Sequence, residues 1–335
     1  MKRNQRIQPI SNTLNKAAPW PFPRSLVSLY IEVSSRKNMQ TDGSRPSQTL
    51  YSDRLPHLRN ETRWIRPMDE VDFIRRALDD ATELIETKYA DRTELSHREK
   101  ETTDRLTEAD VEIQRLLVQH IGIHYPTDAI VGEESGFDKG IIRGTERCWI
   151  IDPIDGTYNF TRDLFPVFGI SIACAERGLP IAAGIALPGL QQLYLARRGT
   201  GTTCNGRLLQ VSDERELMHA LVSIDFSKPS KRHRVMKSNS ALARVAGQVR
   251  APGCAVVGLC AVASGRAEAH FDAGLEPWDI AAAALMVEES GGRVSRPDGR
   301  PLNLLDGKQG LLASNGHVHD QLLDRIRAAE MTPDH

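Results

Sequence analysis

CWIIDPIDGT, at residues 148–157, is an apolar run that leads directly into two aspartates. Its first part, Cys148–Ile151, has the length and composition of a buried strand. The proline that follows fixes one backbone torsion, so Asp152, Asp155 and the carbonyl of Ile154 can converge on one side of a turn. Such a fragment on its own is more typical of a surface turn, but a buried strand rarely leads into paired acids without a reason. The stretch therefore predicts a strand with functional carboxylates at its end.

Two further acidic segments adjoin apolar elements in the same way. An acidic pair at 133–134 directly follows the apolar run 129–131, and Asp279 precedes an apolar helical pattern. Taken singly, the pair is typical of a solvated loop, and Asp279 would be the N-cap of a helix that starts at Ile280. Three acidic segments that each adjoin an apolar element are much less likely to arise by chance than one. Magnesium prefers oxygen ligands, and the acidic motifs at 132–136, 149–157 and 276–279 contain neither His nor Cys, which argues against zinc. Together they predict a magnesium site.

The residues after the two aspartates suit an anion. Gly156 lets the backbone approach a ligand closely, and the amides of Gly156 and Thr157, at the start of a short helix, can bind phosphate. The chain as a whole carries 43 basic and 44 acidic residues, a net charge of -1. This balance gives no bulk electrostatic reason to expect a nucleic acid polymer or an anionic membrane as partner. We therefore expect a small phosphorylated ligand at a local site.

Regular apolar spacing begins just after Met68. It predicts one amphipathic helix over 71–85 and a second over 108–120. Thr107 and Asp110 at the start of the second helix fit a capping box, with Thr107 as N-cap and Asp110 near N3. Later apolar runs predict three consecutive antiparallel strands, a helix, and a late strand followed by a final helix. The strands lie at 169–175, 181–187, 192–196 and 311–314, and the helix between them at 280–289.

Residues 1–67 differ from the rest of the chain. They are rich in Pro, Ser, Asn and Arg and show no sustained apolar period. Their prolines would break the amphipathic helix that a targeting peptide needs. Two interpretations stay open: a mostly disordered extension, or translation that naturally begins at Met68. Residues 68–330 are predicted to form a single domain, with a metal-binding half at 68–220 and a C-terminal half at 221–330.

Cysteine usage and hydropathy indicate the compartment. The five cysteines are odd in number, have no CxxC spacing and lie mostly in apolar runs, which favours reduced thiols. No stretch approaches the roughly 18–20 consecutive apolar residues that cross a bilayer, and the first residues lack the apolar core of a secretory signal. We therefore expect a soluble, cytoplasmic protein with no membrane partner. The cysteines are Cys148, Cys174, Cys204, Cys254 and Cys260.

From about Met68 to Ala328 the chain resembles the inositol monophosphatase family, part of a wider group with fructose-1,6-bisphosphatase and the bisphosphate nucleotidases. The resemblance rests on the order, spacing and flanking residues of four motifs. It implies a mixed α/β (α+β) fold, layered as an αβαβα sandwich. It also implies a homodimer and sensitivity to lithium. The motifs are LTEAD at 106–110, GEES at 132–135, DPIDGT at 152–157 and WD at 278–279.

The resemblance also implies a set of metal ligands. Glu133, Asp152 and the carbonyl of Ile154 would hold a first magnesium ion. Asp152, Asp155 and Asp279 would hold a second, and a third, weaker ion would lie near Glu133. Two or three magnesium ions per site are therefore expected. Such ions neutralise phosphate charge and lower the pKa of a bound water.

Catalytic and substrate-binding residues follow from the same resemblance. Thr157, paired with Asp110, resembles the group that orients and helps to deprotonate the attacking water, with Glu133 in the same catalytic set and no covalent intermediate. Two departures concern the substrate: Asp272 replaces a more usual Glu, and Cys254 replaces a more usual Thr or Ser. Both would change substrate preference. The implied phosphate and substrate contacts are Asp155, Gly156, Thr157, Gly253, Cys254, Ala255 and Asp272.

The expected reaction is magnesium-dependent hydrolysis of a small polyol phosphate, with inositol-1-phosphate as the leading substrate. Asn159-Phe160 is similar to the inositol and fructose-bisphosphate branches, and 274–279 resembles the bacterial inositol-type enzymes. A fructose-1,6-bisphosphatase, a histidinol-phosphatase and a 3'(2'),5'-bisphosphate nucleotidase are the alternatives on the same scaffold. A non-catalytic binding protein is disfavoured, because every expected ligand is present, as are Thr157 and Asp110.

Overall fold

A computed structural model of the chain describes residues 68–90, 97–101, 104–135, 146–163, 165–226 and 229–331. All of them belong to one compact unit, Ile65–His335. The predictions for residues 1–67 lie outside the described residues. No helix in the described part of the chain is long and apolar enough to cross a membrane.

Both predicted amphipathic helices are present at the start of this unit. Asp69 caps the first, since its carboxylate accepts a hydrogen bond from the Val71 amide at 3.0 Å. The second begins with the predicted capping box of Thr107 and Asp110 and continues to His124. The helices of the described residues are α1 Glu70–Lys88, α2 Glu108–His124, α3 Thr157–Arg162, α4 Pro229–Ala243, α5 Ala255–Ala263, α6 Pro277–Glu289 and α7 His319–Met331.

Within the part of the chain that the structure describes, the larger sheet has seven strands, which follow the order of the chain. Its first two strands are parallel, and every later pair of neighbours is antiparallel, including the three strands predicted as consecutive antiparallel strands. A separate antiparallel pair, β1 His97–Glu101 and β2 Asp104–Thr107, precedes α2. The strands of the larger sheet are β3 Ala129–Gly132, β4 Arg147–Asp155, β5 Gly169–Glu176, β6 Leu179–Leu187, β7 Gln192–Arg197, β8 Gly201–Cys204 and β9 Arg207–Leu208.

Among the described residues, the smaller sheet has five strands of mixed direction, in the spatial order Gln248–Arg250, Leu221–Ile224, Ala269–Leu275, Gln309–Ser314 and Arg293–Ser295. The strand Leu221–Ile224 is parallel to both of its neighbours, whereas Gln309–Ser314 is antiparallel to both of its own. This sheet begins after the larger one has ended, at residue 221; the division of function between residues 68–220 and 221–330 stays a prediction. The strands are β10 Leu221–Ile224, β11 Gln248–Arg250, β12 Ala269–Leu275, β13 Arg293–Ser295 and β14 Gln309–Ser314.

Helices and sheets alternate as layers. The helices α1 and α2 pack on one face of the larger sheet, around a core that includes Trp149 and Ile151. The apolar helices α5 and α6 lie between the two sheets, and α4 and α7 contact the smaller sheet and each other. Both faces of the strands β4, β5 and β6 are therefore covered, and their sequences are nearly continuous apolar runs. The αβαβα sandwich is confirmed.

The strand β4 is anchored at its beginning by a polar network. The Arg147 side chain donates to Asp128 at 2.6 Å and to Glu70 on α1 at 3.3 Å. The Trp149 indole donates to the same Asp128 carboxylate at 2.9 Å. These bonds fix the strand relative to α1, and at its other end the strand carries the predicted aspartates.

Two local predictions were wrong. Asp279 is not the N-cap of a helix from Ile280, because the helix α6 begins at Pro277 with Glu276 as N-cap and Asp279 at N3. Proline is pre-organised for the first helical position, which moves the start three residues earlier. Asp152 and Asp155 also do not lie in a turn: β4 continues to Asp155, and its pairing with β5 is irregular between the two aspartates.

Candidate active site

The irregular end of β4 directs the two motif aspartates into the interior. Asp152 and Asp155 lie on either side of a register shift, and such a bulge re-aims side chains that a regular strand would place by simple alternation. The Asp152 carboxylate accepts a hydrogen bond from the Ile154 amide at 3.1 Å. Only 1% of Asp152 is exposed to solvent. A carboxylate this deeply buried needs a compensating charge or hydrogen bonds to remain ionised.

Asp152 is surrounded by other carboxylates rather than by cations. Burial raises its pKa well above the usual value, and the charges of Glu133, Asp155, Asp279 and Asp110 raise it further. The strand ends and turns that carry these side chains therefore converge on one place, as the motifs predicted. Crowded negative charges disfavour one another's ionised form and favour a bound cation.

Asp155 is held from the opposite side by the start of α5. The Val256 amide donates to Asp155 Oδ2 at 2.6 Å, and the Cys254 thiol lies 3.2 Å from the same oxygen. Burial raises the pKa of Asp155, while the Val256 bond opposes that rise. Cys254 is almost fully buried, and its thiol also lies 3.5 Å from the carbonyl oxygen of Asp155.

Asp279 enters the site from the first turn of α6. Its Oδ2 accepts a hydrogen bond from the Glu276 amide at 2.8 Å, so the backbone at the helix start fixes the side chain. Burial raises the pKa of Asp279, with Asp155 the next cause. The Asp279 carboxylate thus takes part in the N-terminal cap of α6 and also faces the cluster of carboxylates.

Asp110 serves a helix cap and the site at once. Its Oδ2 accepts hydrogen bonds from the amide of Thr107, at 2.8 Å, and from the Thr107 hydroxyl. Its Oδ1 lies 3.4 Å from the hydroxyl of Thr157, which also lies 2.9 Å from the carbonyl of Ile154. The capping box is therefore confirmed, and the other oxygen of Asp110 lies near Thr157; a catalytic role for this pair stays a prediction.

Glu133 lies in a one-turn 3₁₀ helix, Glu133–Ser135, that follows β3. The side chain of Gln114 on α2 contacts this turn twice. Its Oε1 accepts from the Glu134 amide at 2.9 Å, and its Nε2 donates to Ser135 Oγ at 2.9 Å. Sequence reasoning did not identify Gln114.

The proposed phosphate end of the site is tightly packed. Gly156 has φ of +84°, a conformation that favours glycine. A Cβ there would lie 3.0 Å from Cys254 Cβ and 3.1 Å from the Val167 carbonyl. The Asn159 amide on α3 joins the same segments, donating to the carbonyls of Val167 at 2.9 Å and Pro252 at 2.8 Å.

Asp225, a carboxylate that was not identified from the sequence, acts electrostatically on Asp272. Burial raises the pKa of Asp272 to about 7, and the charge of Asp225 is the next cause. The Asp272 Oδ1 accepts from the Gly274 amide at 2.7 Å. Asp225 directly follows the apolar strand β10, the same signal that identified Asp152 after β4. An acidic residue at the end of an apolar strand could therefore have identified Asp225 from the sequence.

The donor set fits a hard cation. The convergent side chains are carboxylates, with the Ile154 carbonyl beside them, and their mutual effect on pKa is the kind that a divalent ion relieves. As the side chains stand in the described part of the chain, no group of three or more His, Cys, Asp or Glu residues has its donor atoms already gathered around one point.

Comparison with known proteins agrees with this geometry. The sequence model of the inositol monophosphatase family matches residues 66–331. An inositol-1-monophosphatase of Caulobacter vibrioides is 34% identical over 72% of this chain and 94% of its own length. A Nus factor SuhB of Pseudomonas aeruginosa is 38% identical over 66% of this chain and 82% of its own. A solved IMPase/NADP phosphatase in complex with Mg²⁺ and phosphate superposes with a TM-score of 0.68, at 25% identity, over 77% of this chain and 94% of that one.

The family match and the named relatives identify a phosphatase of the phosphoric monoester hydrolase class. The chain belongs to the inositol monophosphatase family.

Proposed function

We propose that the protein is a magnesium-dependent phosphomonoesterase that releases phosphate from a small polyol phosphate, with inositol-1-phosphate as substrate. The observation that carries the proposal is the buried Asp152 with four other acidic side chains around it. A cluster of this kind is costly for the fold unless it binds cations. The Mg²⁺ of the solved relative and the name of the Caulobacter relative support the same metal and substrate.

Five groups would hold the metal. Two or three magnesium ions would bind Glu133, Asp152, the carbonyl of Ile154, Asp155 and Asp279. When bound, these ions would neutralise phosphate charge and activate a water molecule. Asp155 and Asp279 each have one oxygen held by a backbone amide, which leaves the other oxygen to face the metal.

Thr157 and Asp110 would handle the proton of the attacking water. The Thr157 hydroxyl can accept a hydrogen bond from water and pass its own proton toward Asp110 Oδ1, 3.4 Å away. Asp110 is held in place for this by its cap bond from the Thr107 amide. A positioned base of this kind contributes roughly 10²–10⁴-fold to rate.

The remaining contacts would bind the two ends of the substrate. The amides of Gly156 and Thr157 would cradle the phosphate, and the leaving alcohol would lie against Asp272 and the segment 253–255. Cys254 contacts Asp155, so its contribution would be to orient that carboxylate rather than to bind a hydroxyl group of the substrate. Fructose-1,6-bisphosphate, histidinol phosphate and a bisphosphate nucleotide remain the alternative substrates.

The assembly and location follow from the family. We infer a cytoplasmic, lithium-sensitive homodimer. The name of the Pseudomonas relative favours one further candidate, a Nus-factor role through a protein partner. The complete set of acidic residues and Thr157 favours catalysis as the function of this site, and a partner would bind elsewhere.

Phosphate release from a panel of esters, with and without millimolar Mg²⁺, tests the proposal. The panel is inositol-1-phosphate, fructose-1,6-bisphosphate, histidinol phosphate and 3'-phosphoadenosine 5'-phosphate. We expect Mg²⁺-dependent release, fastest from inositol-1-phosphate, and none from Asp152→Asn. The exposed Asp213 provides the matched control, and Asp213→Asn should match the parent chain. Release that persists in Asp152→Asn at ordinary Mg²⁺ would refute the metal assignment.

A further inference from the structure

Gln114 clamps the turn that carries Glu133. Its Oε1 accepts a hydrogen bond from the Glu134 amide and its Nε2 donates to Ser135 Oγ, both at 2.9 Å. An uncharged amide offers an acceptor and a donor at once, which neither a carboxylate nor an ammonium group can do. The two bonds fix the backbone of Glu134 and the side chain of Ser135, the two residues that follow Glu133.

The same amide also packs against the residue before Glu133. A Cβ placed on Gly132 would lie 2.6 Å from Gln114 Oε1, well inside van der Waals contact. The end of β3 therefore passes directly over the glutamine side chain. Glu133 is thus held between contacts of Gln114 with Gly132 on one side and with Glu134 and Ser135 on the other.

Gln114 and Asp110 lie four residues apart on α2, so they share one face of the helix. Both are buried, and Ile113 and Leu117 anchor the same helix in the core against the larger sheet. One rigid element thereby sets the position of the Asp110 carboxylate and of the Glu133 turn.

We propose that Gln114 is a positioning residue that holds Glu133 in the orientation required for a divalent cation. The proposal rests on the proposed function, because Glu133 is a ligand only if the site binds metal. Removing a hydrogen bond that orients a metal ligand typically costs about 10–100-fold in metal affinity. We expect a loss of that size when Gln114 is replaced by a side chain of similar volume that cannot hydrogen-bond.

Mn²⁺ binding to the full chain, followed by the paramagnetic resonance signal of free Mn²⁺, tests the proposal without relying on turnover. Gln114→Leu should raise the Mn²⁺ dissociation constant by about 10-fold or more. The half-maximal Mg²⁺ concentration for phosphate release should rise in parallel, while kcat at saturating Mg²⁺ should be largely restored. Ile113→Val, a small core change on the same helix, is the control and should leave the dissociation constant unchanged.

Two further variants cover the case in which Gln114→Leu fails to fold. Ser135→Ala removes only the partner of Nε2 at an exposed residue, and should weaken Mn²⁺ binding in the same direction by a smaller factor. Gly132→Ala should displace the glutamine amide, and its effect should shrink in a Gln114→Ala background, where the contact of the new Cβ with Ile151 Cγ1 at 2.9 Å remains. Coupling of this kind is expected of residues in direct contact.

The outcomes separate the two proposals. If the parent chain binds Mn²⁺ and hydrolyses phosphate esters but Gln114→Leu and Ser135→Ala bind Mn²⁺ as tightly, the role of Gln114 is refuted and the function stands. If the parent chain neither binds Mn²⁺ nor releases phosphate, the proposed function is refuted and the role of Gln114 with it.

Discussion

The Oδ1 of Asp110 lies 3.4 Å from the Thr157 hydroxyl, while its Oδ2 accepts the hydrogen bond of the Thr107 amide at 2.8 Å. One carboxylate thus links the start of α2 to the start of α3. Asp110 and Thr157 are 47 residues apart in the sequence, so their contact forms only when the chain folds. A helix cap fixes the side chain that the proposed mechanism uses as a base.

Asp110→Asn should distinguish the role of Asp110 in the helix cap from its proposed role as a base. An amide oxygen can still accept the Thr107 bond, but it cannot take up a proton, so kcat should fall by roughly 10²–10⁴-fold with little loss of stability. The comparison is Thr107→Ala, which removes hydroxyl bonds of the cap and should cost about 1 kcal/mol of unfolding free energy. Steady-state kinetics and urea unfolding measure the two effects. Full activity in Asp110→Asn would show that Asp110 is only a cap.

Magnesium should stabilise the protein by relieving carboxylate repulsion. We expect the unfolding temperature to rise with Mg²⁺ and to fall with a chelator, as measured by scanning fluorimetry. Asp152→Asn removes one charge from the buried cluster, so in chelator it should unfold at or above the temperature of the parent chain. It should also lose most of the response to Mg²⁺. An Asp152→Asn protein that is less stable than the parent in chelator, or equally responsive to Mg²⁺, would contradict the expectation.

Acid should destabilise the fold through buried histidines. Burial lowers the pKa of His270 and of His319 to about 4, against 6.5 for an exposed histidine. Below pH 6.5 these two histidines take up protons in the unfolded chain but not in the folded one. Their contribution to the free energy of unfolding is therefore fully present above pH 6.5 and is lost as the pH falls toward about 4.

Unfolding by urea at a series of pH values measures this loss. His319→Gln should flatten the decline between pH 6.5 and 4, because one proton-binding group of the unfolded chain is gone. The exposed His317 provides the control, and His317→Gln should keep the slope of the parent chain. Equal slopes in all three proteins would show that His319 does not contribute.

The thiols should be unreactive in the folded protein. All five cysteines are buried, with Cys204 the most accessible at 8%. Burial raises the pKa of the Cys254 thiol, and the neighbouring Asp155 charge raises it further, so little thiolate forms. Ellman's reagent should label the native protein very slowly and label all five thiols after unfolding. Rapid native labelling that persists in Cys204→Ser would show that an interior thiol is accessible.

Much of the site could be predicted because its ligands follow or precede apolar elements in the chain. Strand β4 leads into Asp152, and the capping box at Thr107 and Asp110 is a local pattern. The predicted start of α6 was wrong, because Pro277 suits the first helical position and the helix begins there, three residues before Ile280.

The contacts that the sequence did not predict join distant segments. Gln114 meets a turn 20 residues away, and Asn159, which the sequence marked only as part of a family motif, meets a carbonyl 93 residues away. A glutamine within a helical pattern carries no local sign of such a partner. The irregular pairing of β4 with β5 is likewise set by the neighbouring strand rather than by the Asp-Pro-Ile-Asp sequence alone.

The carboxylate cluster draws on segments made at very different times during synthesis. Asp279 leaves the ribosome 127 residues after Asp152, which at about 5–20 residues per second is a delay of roughly 6–25 s. Until then the larger sheet can form, but Asp152 has no α6 to cover it and the ion has an incomplete set of ligands. A nascent chain interrupted before residue 279 is therefore unable to bind the metal in the proposed way. Ion loading should therefore follow the synthesis of Asp279 and the docking of α6.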